Sequence, residues 1–103
     1  MPDESIVLDS SVIVALYFTD PYSEWANDIV GESRNCYTVD IAYAEIGNVA
    51  WKRIHLFRQP KEIILLGLQN AIEFISDICV VINSRTIIKD ARRTIVGSKD
   101  NSI

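Results

Sequence analysis

Short apolar runs alternate with longer segments of mixed polarity along this chain. Ile6–Leu8 and Ile78–Ile82 are rich in β-branched residues and are bounded by polar positions, which predicts buried strands. Cys36–Val39 predicts a further short strand or an extended segment. The remaining segments predict five helices: Val12–Phe18, Ser23–Val30, one capped by Asp40 and running to about Ile54 or Leu56, Lys61–Asp77, and Arg85–Val96.

The segment Lys61–Asp77 has the clearest helical periodicity in the sequence. One apolar face is formed by residues spaced three and four apart, namely Ile64, Leu68, Ala71, Ile72 and Ile75. Strands that alternate with helices predict an α/β fold with a parallel sheet. The polar segment Gly97–Asn101 predicts the end of the last helix.

Composition fits one small folded domain over residues 1–103. Of the 103 residues 49% are hydrophobic, and the formal net charge is -4. An acidic total does not indicate a general coat for nucleic acid, so any such binding has to be argued from a local site. The polar start and the short apolar runs predict a soluble, cytoplasmic protein without a signal peptide or membrane span.

Cys36 and Cys79 are the two cysteines of the chain. They form no C-x-x-C motif, and His55, the one histidine, has no cysteine nearby, so a structural zinc site is not expected. We expect two buried, reduced thiols. A disulfide stays open as an alternative if the source is a hyperthermophile.

Asp9 follows the first predicted strand and precedes the first predicted helix. In open α/β sheets the carboxyl ends of the strands form the ligand crevice, and a carboxylate there can bind a hard cation. The simpler interpretation is that Asp9 caps the helix. Ser11, two residues later, has the same two interpretations: support for a metal site, or a helix cap.

Glu45 is the acid in an otherwise mostly apolar stripe of the helix that follows Asp40. We expect it to be buried, and a buried carboxylate needs a partner because desolvating the charge costs several kcal/mol. A metal ion shared with Asp9 would supply one. The alternative is an ion pair with Lys52, Arg53 or a residue from elsewhere in the chain.

Basic residues share one side of the last predicted helix at three- and four-residue spacing: Arg85, Lys89, Arg92 and Arg93. They are interpreted either as a solvated helix face or as a stripe that contacts phosphates. Nucleotide-binding glycine motifs, the G-x-S-x-G serine motif and the H-E-x-x-H zinc motif do not occur in the sequence.

The order and spacing of these motifs resemble those of PIN domains. The segment 6–16 resembles their opening strand and helix, with Asp, any residue and Ser after a hydrophobic run. Residues 39–50 resemble the second family motif, in which an acid lies on a helix with small residues. The strand and turn at residues 80–85 also resemble the family, so the resemblance covers essentially the whole chain in order.

This resemblance implies an α/β/α sandwich with a short parallel sheet and a Mg²⁺- or Mn²⁺-dependent ribonuclease activity. The chain is similar to the toxins of VapBC toxin–antitoxin pairs, which implies RNA and an antitoxin as partners. Loss of the family's last helix and strands would expose apolar surface, which favours a homodimer or a higher oligomer. Asp9 would be a metal ligand, Glu45 the second acid and Ser11 a supporting hydroxyl. A third family acid, in a Tyr-Asp-Ala-like motif, would begin about where this sequence stops. We therefore expect a C-terminally shortened PIN domain with little or no nuclease activity.

Two other hypotheses stay open at this point. The chain could be a non-enzymatic module that oligomerises or binds an antitoxin, with a groove between the helices around Val12–Phe18 and Tyr22–Val30. It could also be an unrelated α/β binding domain in which the carboxylates of Asp9 and Glu45 lie far apart.

Overall fold

Three parallel strands and five helices form the fold in the computed structural model, which describes residues 5–32 and 35–97; for 93–97 it describes the backbone alone. The strands are β1 (Ser5–Val7), β2 (Asn35–Val39) and β3 (Val80–Ile82), and the helices are α1 (Ser10–Tyr17), α2 (Ser23–Glu32), α3 (Ile41–His55), α4 (Lys61–Asp77) and α5 (Ser84–Gly97). The predicted α/β class with a parallel sheet is confirmed.

The strands lie in the order β1-β2-β3. Because both neighbouring pairs are parallel, the carboxyl ends of all three strands lie along one edge of the sheet. Ser5 is opposite Asn35 in the first pair of strands, and Tyr37 is opposite Val80 in the second. The polar residues that follow the strands, Asp9, Asp40 and Asn83, are therefore brought to the same edge.

The core lies where α1, α3 and α4 pack against one another and the sheet. Its largest fully buried apolar side chains are Ile13, Ile46 and Ile75, one from each of these helices. Small residues permit the close approach: Ala42 and Ala50 flank Ile46 on α3, and all three are buried. At Gly67 of α4 an added Cβ would lie 2.6 Å from the backbone oxygen of Tyr17, so α1 and α4 touch through the glycine.

That contact corrects the predicted apolar face of α4. Ile72 was placed on the buried face, but it is 39% exposed, whereas Gly67 and Phe74 are buried. The face is rotated because the tight crossing at Gly67 decides which side of the helix meets α1. The third strand also begins two residues later than predicted, since Ile78 still has helical φ and ψ at the C-cap of α4.

The two cysteines are free and buried, as predicted. Cys36 lies one position before the Tyr37–Val80 pair on β2, and Cys79 lies one position before it on the chain entering β3. Burial, with a smaller contribution from Cys36, raises the pKa of the Cys79 thiol to about 11. Among the described helices, none combines the length and the apolar character needed to cross a membrane.

Candidate metal centre

Asp9 lies at the N-cap of α1, directly beyond the end of β1. Its extended backbone (φ -75°, ψ 155°) turns the side chain toward the first turn of the helix. There its Oδ2 accepts hydrogen bonds from the Ser11 hydroxyl at 2.7 Å and from the Ser11 backbone N–H at 3.4 Å. The predicted cap is therefore present.

The same contacts keep the Asp9 carboxylate charged. The hydrogen bond from the Ser11 hydroxyl lowers the pKa of Asp9, against a smaller opposing effect of burial, and backbone N–H groups of residues 10 and 11 lower it further. Asp9 is exposed, and both hydrogen bonds from Ser11 fall on Oδ2. Because a carboxylate has about four acceptor sites, capping a helix and binding a cation are compatible roles for one side chain.

Glu45 is exposed on α3, so the expectation that it is buried was wrong. The buried stripe of α3 consists of Ala42, Ile46 and Ala50, and Glu45 lies beside that stripe and not within it. Its carboxylate has no hydrogen bond or ion pair to the described part of the chain. Arg53, the suggested partner, instead lies 3.9 Å from the Asp20 carboxylate and donates to the Thr19 carbonyl at 2.9 Å.

Asp9 and Glu45 line the same cavity. It has a volume of about 230 Å³ and is walled by the end of β1, the end of β2 and the first turns of α1 and α3. Its other lining residues are Val7, Leu8, Ser10, Thr38, Val39, Ile41 and Ala42. Two acids that are 36 positions apart in sequence thus line one small cavity, whose remaining walls are mostly apolar.

This donor set fits a hard divalent cation, since Mg²⁺ and Mn²⁺ prefer carboxylate oxygens and water. Asp9 and Glu45 would hold the ion, and Ser11 would orient Asp9. Within residues 5–32 and 35–97, no group of three or more His, Cys, Asp or Glu side chains converges in a way that could hold a metal. A cation held by two carboxylates has to keep several of its waters.

Thr38 is a site residue that the sequence analysis did not identify. It is 1% exposed, and its hydroxyl donates to the Leu8 carbonyl at 2.9 Å. The Leu8 N–H in turn donates to the Tyr37 carbonyl at 2.7 Å. These two bonds fix the chain immediately before Asp9. Strand alternation places Thr38 on the same inward side as Cys36. A polar residue at an inward position needs a hydrogen-bond partner, so the strand pattern alone could have indicated a role for Thr38.

Asp40 was predicted to cap the helix that it precedes, and the structure corrects this. It occupies the N-cap position of α3, but its backbone is helical (φ -57°, ψ -29°) and it makes no capping hydrogen bond there. An N-cap side chain reaches its own helix from an extended backbone, which Asp40 lacks. Its Oδ1 instead accepts the backbone N–H of Ser84, at 3.2 Å, in the first turn of α5.

The basic residues of α5 lie on a helix, as predicted, beyond the end of β3. Arg85, Lys89 and Arg92 are all exposed. The side chain of Arg93 lies outside the described part of the structure. The spacing of the three described cations, four and then three residues, places them on one side of α5.

Known proteins share this sequence pattern. A model of the PIN domain matches residues 6–101. Over 47 residues the chain is 38% identical to Ribonuclease VapC3 of Pyrobaculum aerophilum, a match that covers 46% of this chain and 36% of that relative. The chain therefore matches about a third of the relative's length. Because the family match begins within β1 and extends through Asp9, Glu45 and the other two strands, this chain belongs to the PIN-domain family.

Proposed function

We propose that this chain carries a divalent-cation site of the kind that serves metal-dependent endoribonucleases of the VapC toxin type. The observation that carries the proposal is that Asp9 and Glu45 line one cavity at the carboxyl ends of the parallel strands. Membership of the PIN-domain family and similarity to a protein named a ribonuclease support it. The proposed substrate class is RNA, and the proposed site of action is the cytoplasm.

Each residue of the centre has a definite task. Asp9, held ionised by the Ser11 hydroxyl, would be the first ligand, and Glu45 would be the second. When bound, Mg²⁺ or Mn²⁺ supplies Lewis acidity that polarises the scissile phosphate and activates water. Thr38 holds the Leu8 carbonyl and so fixes the position of Asp9 relative to β2.

A centre with two carboxylates is expected to bind its cation weakly. Mg²⁺ gives up its waters reluctantly and demands well-placed oxygens, so a site with two acids binds it weakly. We expect little or no RNA cleavage by the 103-residue chain. Metal-dependent cleavage by the purified chain, abolished by Asp9→Asn, would overturn that expectation while supporting the assignment of the site.

Contacts to the RNA backbone would come from the basic side of α5. We assign phosphate contacts to Arg85, Lys89, Arg92 and Arg93, the first three of which are exposed on that helix. Phosphate neutralisation releases counterions, so each contact adds roughly 0.7 to the slope of log affinity against log salt for single-stranded RNA. Replacing Lys89 by Gln should reduce that slope by about one contact without changing metal affinity.

Binding of Mn²⁺, followed by electron paramagnetic resonance, tests the centre directly. Asp9→Asn and Glu45→Gln should each weaken binding by about tenfold or more, since each removes one of two anionic ligands. Glu24→Gln is the matched control, because Glu24 is an exposed acid on α2 away from the cavity. Equal weakening by all three variants would show that Mn²⁺ senses only the net charge, and the proposed centre would be refuted.

A second candidate function is favoured by the surface between α1 and α2. A cavity of about 340 Å³ lies there, lined by Val12 and Ala15 of α1 and by Tyr22 and Trp25. Tyr22 and Trp25 are 67% and 54% exposed. Ser11 and Asp20 add polar groups to the rim of this cavity. A groove that combines apolar and aromatic walls with polar side chains suits an amphipathic partner helix, so this face is proposed as the binding surface for an antitoxin.

The partner hypothesis has its own test. Where a small antitoxin-like reading frame lies upstream of the gene, weaker binding of its product after Trp25→Ala, with unchanged Mn²⁺ affinity, would support the hypothesis. Equal binding by Trp25→Ala and wild type would exclude this groove. Self-association into a dimer or a higher oligomer, which the sequence also predicts, is measured by sedimentation across a range of concentrations.

A further inference from the structure

The described side chains of α5 are exposed beyond its first residue. Every described side chain from Arg85 to Arg92 is exposed, and these include the apolar residues Ile87 and Ile88, at 42% and 64%. Ser84, at the start of the helix, is half-buried. No side chain among residues 85–92 is buried, so Ser84 has the least exposed side chain in the described part of α5.

The first turn of α5 is held by two side chains of different origin. Asn83 precedes the helix, and its Oδ1 accepts the Arg85 N–H at 2.8 Å, which is an ordinary local cap. The N–H of Ser84 is directed to the Asp40 carboxylate at 3.2 Å, across 44 residues of sequence. The first contact belongs to the helix itself, and the second ties it to another part of the fold.

Asp40 is itself firmly placed. Its backbone N–H donates to the Ile82 carbonyl at the end of β3, at 3.0 Å, and its carbonyl accepts the Tyr43 N–H at 3.2 Å. Its backbone is thus bound to β3 on one side and to the first turn of α3 on the other. A carboxylate at a helix N-terminus is also favoured by the helix dipole.

We propose that Asp40 is a positioning residue that sets the direction of α5, and with it the basic stripe, relative to the acid-bearing helix α3. Glu45 lies five residues after Asp40, on α3, so the Asp40 side chain ties the start of α5 to the start of the acid-bearing helix. The part of this inference that concerns RNA rests on the proposed function. The part that concerns the direction of α5 stands on the hydrogen bonds alone.

Asp40 could instead be a helix cap that only stabilises α5 without setting its direction. The variant Ser84→Pro distinguishes that role from the proposed positioning role. Ser84 is the first residue of α5, a position where proline is well tolerated because its fixed φ suits the helix. The substitution removes the N–H that Asp40 accepts and leaves the Asp40 side chain in place. Asp40→Ala removes the other partner, and Asp40→Asn retains an oxygen that can accept the bond.

Spin labels on α5 and α4 measure the direction of the helix. Labels at Lys89→Cys and Asn70→Cys, both exposed positions, give a distance distribution by pulsed electron resonance. Asp40→Ala and Ser84→Pro should each broaden or shift that distribution, the double variant should add nothing further, and Asp40→Asn should stay close to wild type. Asp28→Ala, which removes an exposed acid on α2, is the charge control and should have no effect.

The outcomes decide the matter in both directions. An unchanged distribution in Ser84→Pro and in Asp40→Ala, with lower stability alone, would overturn the proposal in favour of a plain cap. If Asp40→Ala does not fold, Ser84→Pro and Asp40→Asn still decide. RNA affinity should fall roughly fivefold in Asp40→Ala, the equivalent of about one hydrogen bond, at unchanged Mn²⁺ affinity. Failure of wild type to bind RNA would refute the proposed function and leave the distance result on Asp40 intact.

Discussion

Gly67 offers a sharp test of how the helices pack. It lies in the interior of α4, and an added Cβ would be 2.6 Å from the Tyr17 carbonyl oxygen and 3.2 Å from two ring carbons of Phe18. The Phe18 ring can rotate slightly to make room. The Tyr17 carbonyl cannot, because it belongs to the backbone of α1. Gly67→Ala therefore forces α1 and α4 apart.

Gly47 supplies the matched control, because it lies in the interior of α3 and an added Cβ there meets nothing within 4 Å. Both substitutions gain the same helix propensity, about 0.5–1 kcal/mol in favour of the folded state. Gly67→Ala adds an overpacking cost of about 1–3 kcal/mol. The difference between the two variants isolates that cost, so Gly47→Ala should be more stable than wild type and Gly67→Ala less stable or unchanged.

Urea unfolding followed by tryptophan fluorescence measures both free energies. The dependence of the unfolding free energy on urea concentration should be the same in both variants, which would show that the surface exposed on unfolding is unchanged. Equal stabilisation by Gly67→Ala and Gly47→Ala would refute the close contact between α1 and α4, and with it the explanation for the rotated face of α4.

Three further predictions concern the centre and the core. Thr38→Val keeps the shape of the side chain but removes the donor to the Leu8 carbonyl, so it should lower the unfolding free energy by about 1–3 kcal/mol and weaken Mn²⁺ binding; full Mn²⁺ affinity in a less stable protein would limit Thr38 to a structural role. Ser11→Ala removes the largest cause of the lowered Asp9 pKa, so carbon NMR should show that pKa rising toward its ordinary value. The stability that Asp9 contributes is present above its unfolded pKa and is lost as pH falls through its folded pKa, and this loss should shrink in Ser11→Ala; an identical titration in both proteins would contradict the role of the hydroxyl. Cys79 should resist thiol reagents in the native protein at pH 8, since its pKa is about 11 and it is buried, and rapid labelling there would contradict the packing of β3.

Local pattern was enough to predict the elements and the position of Asp9. A buried run followed by Asp, Ser and Ser specifies a strand, a cap and a helix within six residues, all of which interact over short sequence distances. The hydroxyl of Ser11 and the Asp9 carboxylate are two residues apart, so their contact follows from the cap geometry itself.

Long-range partners were beyond that pattern. The bond from Thr38 to Leu8 spans 30 residues, and that from Ser84 to Asp40 spans 44, so neither can be deduced from neighbours in sequence. The prediction that Glu45 is buried was wrong for a related reason. A helical stripe shows which residues share a side of α3, but the width of the packed contact decides which of them are buried. Ala42 and Ile46 are buried, whereas Glu45, between them in sequence, is exposed.

The parallel order of the strands has a consequence for how the centre comes into existence. Parallel neighbours cannot be joined by a hairpin, so β1 and β2 meet only after the 27 positions between Val7 and Asn35 have been organised around α1 and α2. Such long-range pairing is slow because the entropy of closing the loop is lost before the contacts form. We therefore expect Asp9 and Glu45 to come together late in folding. If they hold a cation as proposed, its binding should report completion of the native sheet in a kinetic refolding experiment.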